Sequence, residues 1–371
     1  MASYKLFRTF PRKLYSLLCI VFVILIILWS SKVFNLTKNI KKEKFLVIRG
    51  TVKHLKNKTR DTFIHIASRE TTVLKRKEGN VNIVIVIKNS KNNPNLHPKF
   101  KVLVESISRK SSISLCFHVI CDEDGKTIAT SIIERAAPTE TQIIIHDITI
   151  MTQKVKEQIS QMQTFFSHSS KSYYGDPLFF LSIVLHRVIP LDKVIMLDVD
   201  LKFDEDIRLL YNIFDEFSER SIIGIARENQ PVYRHLFHQY RGKNPSTRVG
   251  APPPDGLTGF NSGVLLLDLE KMRKSQVYNS LIDSPKTLET LTQKYLFKGH
   301  LGDQDFYTLV SMEHEDLFHI LLCSWNRQLC VWWRDHGYSQ VFDQYYTCSE
   351  QIKVYHGNCN SNIPTLQWER Q

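Results

Sequence analysis

The sequence predicts an α/β fold on a mostly parallel central sheet. Nearly continuous apolar, β-branched runs, such as VNIVIVI at 81–87, recur between residues 80 and 269, as expected of strands covered on both faces. Stretches with helical spacing alternate with them, the order that builds a parallel sheet flanked by helices. The run VIMLDVD at 194–200 ends an apolar strand in two carboxylates one residue apart, at the carboxyl edge where such sheets hold ligands.

In chain order, a first strand is expected at 81–87 and a helix at 98–109, where apolar residues take helical spacing. SLCFHVIC at 114–121 gives a second strand, 126–135 a helix, and the strand TQIIIH covers 141–146. A polar-apolar stretch at 152–166 is helical. Strand 194–197, helix 206–217, strand 222–226 and the strand NSGVLLLDL at 261–269 complete the run. GAPPPDG at 250–256 is a stiff loop, and no internal repeat interrupts the pattern.

The chain has 371 residues, 43% hydrophobic, and a formal net charge of +12. Much of the excess lies between Lys38 and Lys77, a stretch without periodicity and with only Phe45 and Phe63 as aromatics, too few for a series that stacks on nucleic acid. It reads as a solvated stem, and no nucleic-acid partner is expected. Residues 14–29, LYSLLCIVFVILIILW, carry no charge and span roughly 24 Å as a helix. A cleaved signal peptide has a shorter apolar core of roughly 7–15 residues, so 14–30 reads as a membrane signal anchor. Residues 1–13 are then a cytoplasmic tail, 31–79 a lumenal stem and 80–371 the folded domain. Lys5, Arg8, Arg12 and Lys13 favour this orientation, and Lys32, Lys38, Lys41, Lys42 and Lys44 oppose it, so charge alone does not decide.

Cys323, Cys330, Cys348 and Cys359 match no zinc spacing and read as two disulfides with three pairings open. Cys116 and Cys121 fall in a buried strand as free thiols. Asn57 heads a sequon in the stem, and Asn35 heads another close to the membrane.

Five segments carry candidate chemistry. Asp198 and Asp200 suit a divalent cation that bridges to phosphate, although paired acids also end strands and cap helices. His356, before a glycine in VYHGN, adds an imidazole that suits manganese better than magnesium. In GHLGDQD, Asp303, Gln304 and Asp305 either cap a helix or face a ligand. The small residues of GFNSG at 259–263 admit a sugar or phosphate closely. Trp332 and Trp333 offer an aromatic platform, one ring exposed and one buried.

MLDVD, GFNSGVLLLDLEKMR, HLGDQDFYT, WNRQLCVWWRDHGY and VYHGNCN occur in this order. Together they resemble glycosyltransferase family 8, most closely its members that add xylose to xylose, over residues 81–364. The resemblance implies a GT-A fold, a UDP-sugar donor (UDP-xylose) and Mn²⁺ ahead of Mg²⁺, held by Asp198, Asp200 and His356. It puts Ile87, Lys88 and Asn89 near the uridine. Ser262, Leu301, Gln304 and Asn358 would line the donor site beside Asp198. Trp333, Asn261 and His235, with the 227–239 segment, would face the acceptor.

The implied reaction is retaining α-1,3 transfer to the xylosyl-glucose O-glycan of EGF-like repeats, as in Notch receptors. Gln304 and Asp303 would be the catalytic pair in a same-face substitution. A covalent intermediate on Asp303 or Asp305 is the rival route. The implied setting is a type II protein of the endoplasmic-reticulum membrane, its catalytic domain lumenal; homodimer formation is left open. Another donor such as UDP-glucose, or a non-catalytic glycan-binding relative, are the alternatives.

Overall fold

In the computed structural model, residues 80–169 and 172–370 are described. The anchor, the stem and both sequons lie outside them; among the described residues no helix is long and apolar enough to cross a membrane. The central sheet has seven strands in the order β3-β2-β1-β4-β7-β6-β8. These are β1 (Val81–Ile87), β2 (Leu115–Cys121), β3 (Gln142–Asp147), β4 (Lys193–Leu197), β6 (Ile223–Arg227), β7 (Phe260–Asp268) and β8 (Phe318–Leu321). All run in one direction except β7, which is antiparallel to both neighbours. The expected strands are therefore present within a residue or two. The reversal of β7 and the short β8 were not foreseen, because an apolar run carries no direction and four residues show no period.

Alternation along β1 divides the core. Ile83, Ile85 and Ile87 pack with α1 (Leu96–Lys110) and α2 (Glu123–Ala136), while Val84 faces α3 (Lys156–Phe166) and the helices after β7. Helix α1 buries Phe100, Leu103, Val104 and Ile107 at three- and four-residue spacing. Pro98 fits because it stands in the first turn, where no intrahelical N–H is needed. The 152–166 helix is broken: Ile148–Lys154 and α3 are separated by Val155 at a non-helical ψ of 26°. The 206–217 helix likewise tightens into a 3₁₀ turn after Asn212.

A second, three-stranded sheet joins β5 (Leu201–Phe203), β10 (Val354–His356) and β9 (Arg327–Gln328) in the order β5-β10-β9. Two disulfides brace it, Cys323–Cys348 and Cys330–Cys359, which selects one of the three pairings. Cys116 and Cys121 are free and buried, as expected. The C-terminal segment packs back on the domain: Lys202 Nζ meets Glu369 at 2.5 Å and the Pro364 carbonyl at 3.1 Å.

Asp122 caps α2. Its Oδ1 accepts from the Gly125 N–H at 2.8 Å, and its Oδ2 accepts from the Asn89 N–H at 2.7 Å. One side chain thus starts a helix and fixes the chain leaving β1, where Asn89 takes a left-handed φ of 55°. Asp122→Ala is expected to lower stability by about 1 kcal/mol, the usual effect of losing an N-cap. A urea midpoint equal to that of the parent protein would contradict this.

Candidate active site

The reversed strand brings the quoted motifs together. Because β7 runs opposite to β4 and β6, its first residues lie beside their last: Val264 pairs with Leu197, and Asn261 with Ala226. Asn261 and Ser262 therefore sit next to Asp198 at the carboxyl edge. The small sheet delivers the third group. β10 runs antiparallel to β5 with His356 opposite Leu201, and the Gly357 N–H donates to the Asp200 carbonyl at 2.8 Å.

These residues line one cleft of about 1130 Å³. Lys88, Asn89, Asp198, Asp200, His235, Asn261, Ser262, Leu301, Asp303, Gln304, Trp333, His356 and Asn358 all border it. Ile87 does not. Its side chain is buried in the core on the α1 side, and Val86, one pleat away, faces the cleft instead. Only the backbone of Ile87 remains for a ligand near that strand end.

Asp198, Asp200 and His356 bring one ligand atom each within 4.8 Å of one another. His356 Nε2 stands 3.3 Å from Asp200 Oδ1 and 3.7 Å from Asp198 Oδ2. Its Nδ1 lies 2.9 Å from the Asn326 Oδ1, and the Asn326 amide nitrogen donates to Asn261 Oδ1 at 2.9 Å. With Asn326 so oriented, Nδ1 must be the donor, which leaves Nε2 free as a ligand. Burial works to lower the pKa of His356, but the hydrogen bond and charge of Asp200, then the charges of Asp198 and Glu228, raise it. For Asp200 burial works upward and is outweighed by His356 and Lys99, so its carboxyl is held low. The pocket therefore favours positive charge at this point. Gly263 makes room for the ring: a Cβ there would lie 2.4 Å from His356 Cε1.

The GHLGDQD segment resolves into a loop and the N-terminus of α4 (Asp303–Ser311), with Gly302 as its N-cap. Asp305 is fully buried and holds the loop, accepting from the His300 and Leu301 N–H groups at 2.5 and 2.8 Å and from the Tyr233 hydroxyl at 2.9 Å. Tyr233 can occupy that place only because residue 259 is glycine, where a Cβ would fall 2.0 Å from its ring. Asp303 faces the cleft and accepts from Ser262 at 2.9 Å and from Ser182. Burial pushes its carboxyl up to about 6 against those two hydrogen bonds.

Glu228, buried at the back of the cleft, accepts from the Gln304 amide at 3.4 Å and from Asn261 at 3.3 Å, and burial pushes it up to about 7. Gln304 Oε1 accepts from Asn261 at 3.2 Å, which leaves a further lone pair for a ligand. Asn358 Oδ1 accepts from the Leu329 and Cys330 N–H groups, both at 2.9 Å, so its NH₂ remains available.

At the mouth, the Trp333 ring is half-buried, 4.8 Å from His235 and 5.3 Å from Tyr338. Trp332 is half exposed and stacks on His336 at 3.6 Å. Neither tryptophan is fully buried, so the expected division is only partial. Sequence reading missed Glu228, Asn326, Lys99 and Asp176. The first two lie inside motifs that were noticed, 227–239 and WNRQ, but a buried acid or amide has no spacing signature.

The glycosyl transferase family 8 model matches residues 91–356. Xyloside xylosyltransferase 1 of mouse is 45% identical over 292 residues, covering 76% of this chain and 74% of that protein; the human protein is 46% identical over the same shares. The crystal structure of the mouse protein, in its apo form, superposes with a TM-score of 0.74, covering 77% of this chain and 100% of that one. The chain belongs to glycosyltransferase family 8. It has the α/β fold of those enzymes and is a UDP-sugar-dependent glycosyltransferase, related over about three quarters of its length to a xylosyltransferase.

If Asn326 sets the ring tautomer, Asn326→Ala should weaken divalent-cation binding by roughly 10- to 100-fold. Titration of free Mn²⁺ by electron paramagnetic resonance measures this, and unchanged affinity would dismiss the role.

Proposed function

We propose that this chain is a retaining α-1,3-xylosyltransferase. It moves xylose from UDP-xylose to the 3-hydroxyl of a xylose carried by a glycoprotein, with Mn²⁺ at Asp198, Asp200 and His356. The acceptor is the xylosyl-glucose O-glycan of EGF-like repeats. The observation that carries this reading is the convergence of the Asp–Asp–His set and the Gln304 amide in one cleft. Xylose as the sugar is supported by 45% identity to a protein named for that transfer.

The donor set fits the cation. Two carboxylates and an imidazole suit Mn²⁺ and leave coordination positions for phosphate oxygens. The chemistry supplied by a bound cation is charge neutralisation at the departing diphosphate. Asn326 keeps Nε2 of His356 turned to the acids. Asp303, fixed by Ser182 and Ser262, positions sugar hydroxyls. Gln304 turns the free lone pair of its carbonyl toward the positive charge that develops on the sugar ring. Lys88 and Asn89 flank the nucleoside, Leu301 and Asn358 the donor, and Trp333 with His235 and Tyr338 walls the acceptor.

The hydrogen bonds favour same-face substitution. Asp305 is fully buried outside the cleft lining, with both oxygens bonded to the loop and to Tyr233, and Asp303 is held by a serine on each oxygen, which aims its carboxylate as a hydrogen-bond acceptor. A nucleophile needs a lone pair facing the anomeric carbon. In this route the acceptor hydroxyl gives its proton to the leaving phosphate oxygen as it attacks. The apolar 14–29 segment and the two disulfides support a type II anchor with the domain in the oxidising lumen of the endoplasmic reticulum.

Asp198→Ala and Asp200→Ala should each abolish transfer with little change in melting temperature. Full activity in either would reject the assignment. Gln304→Ala should reduce kcat roughly 100-fold, the scale of one lost electrostatic contact, while UDP affinity holds. Incubation with UDP-xylose, UDP-glucose and a xylosylated peptide, read by mass spectrometry, should show a single pentose added. Hexose addition at equal rate would displace the xylose reading.

A further inference from the structure

Among the described residues, two lysines line the cleft, and their surroundings differ. Lys88, at the end of β1, lies 2.5 Å from Asp176, so its charge is already matched. Lys99 projects from α1 beside the acidic pair. Its Nζ donates to Asn360 Oδ1 at 2.8 Å and stands 3.7 Å from Asp200 Oδ2, and the side chain, 31% exposed, borders the cleft. Asn360 follows Cys359, which is tied to Cys330. Lys99 thus spans from the first helix to the loop after His356, with a weak, long contact to a carboxylate that has a better partner in His356 at 3.3 Å.

The charges explain why a lysine stands there. Among the described residues, five carboxyl groups line the cleft, Asp176, Asp198, Asp200, Glu228 and Asp303, against these two lysines. A nucleoside diphosphate sugar brings two more negative charges and departs with further charge on the bridging oxygen. A divalent cation offsets Asp198 and Asp200 but leaves the diphosphate itself to be matched. Once such a cation engages Asp200, the attraction holding Lys99 to that carboxylate falls, and the nearest unmatched anion is the diphosphate. Lysine suits the exchange: a compact charge with three donors on a flexible stem.

We propose that Lys99 binds the donor diphosphate and stabilises the departing UDP, releasing Asp200 when a divalent cation takes its place. The assignment rests on the UDP-sugar and cation reading given above. No bond forms or breaks at Nζ, which stays protonated throughout. Without a cation, Lys99 is a substitute counter-ion that competes for Asp200. Removing it therefore weakens UDP binding without weakening cation binding, which a merely structural lysine would not do.

The test uses the full-length protein, its Lys99→Met and Lys99→Arg variants, and two binding measurements. Mn²⁺ affinity is read by electron paramagnetic resonance, and UDP affinity by calorimetry at saturating Mn²⁺. For K99M we expect Mn²⁺ affinity equal to the parent or severalfold tighter, UDP affinity at least 10-fold weaker and kcat at least 10-fold lower. K99R should recover most of the UDP affinity. UDP binding within twofold of the parent in K99M would overturn the assignment. So would parallel weakening of Mn²⁺ and UDP binding with a lowered melting temperature, which marks a strut. Parent protein that binds UDP equally with and without Mn²⁺ would overturn the cation reading and this assignment with it. A Mn²⁺-dependent parent with a normal K99M sinks the lysine alone.

Discussion

The pairing of β10 against β5 is the constraint on which the site depends. Asp198 and Asp200 leave β4 at the edge of the main sheet, but His356 arrives from near the end of the chain. Only the antiparallel register that sets His356 opposite Leu201 puts the imidazole 3.3 Å from Asp200. A slip of one residue would turn the ring to the other face of the strand. The Cys330–Cys359 bond closes the loop just beyond it, and Asn358 ties that loop to β9 through two backbone N–H groups. Covalent and hydrogen-bonded restraints thus converge on a register that three short strands alone would hold weakly.

The cleft combines crowded acids with few cations, and its hydrogen bonds decide which acids can act. Asp305 spends its oxygens on the loop before α4, so it is architecture. Asp303 is held between two serines yet faces the ligand space. Glu228, buried in the cleft wall, accepts from Gln304 and orders its amide. Three carboxyls around Gln304 therefore have different work, and the difference comes from what each one bonds, not from position in the sequence.

Much of the fold was legible because buried parallel strands announce themselves as nearly continuous apolar runs; β1, β2 and β4 are of this kind. Direction was not legible. The run that forms β7 looks the same whichever way it points, and only its pairing with both β4 and β6 reveals the reversal that joins Asn261 to Asp198. The short strands β5, β8 and β9 are too brief to show a period. Of the site, the acids, the imidazole and Gln304 stood in ordered motifs and meet in one cleft. Ile87 came from the resemblance alone; the pleat turns its side chain into the core and leaves its backbone at the strand end. Asn326 and Glu228 escaped notice because their value lies in what they bond, which emerges only when distant segments fold together.

Gly263 carries a consequence of its own. The imidazole ring occupies the volume where any other residue would carry its first side-chain carbon. Alanine replacement, ordinarily a subtraction, becomes an addition at this position. A survey that looks for important residues by trimming side chains would find nothing to trim here. Yet the missing methyl group is part of what shapes the cation's berth, and families of such enzymes can be compared by where they leave carbon out.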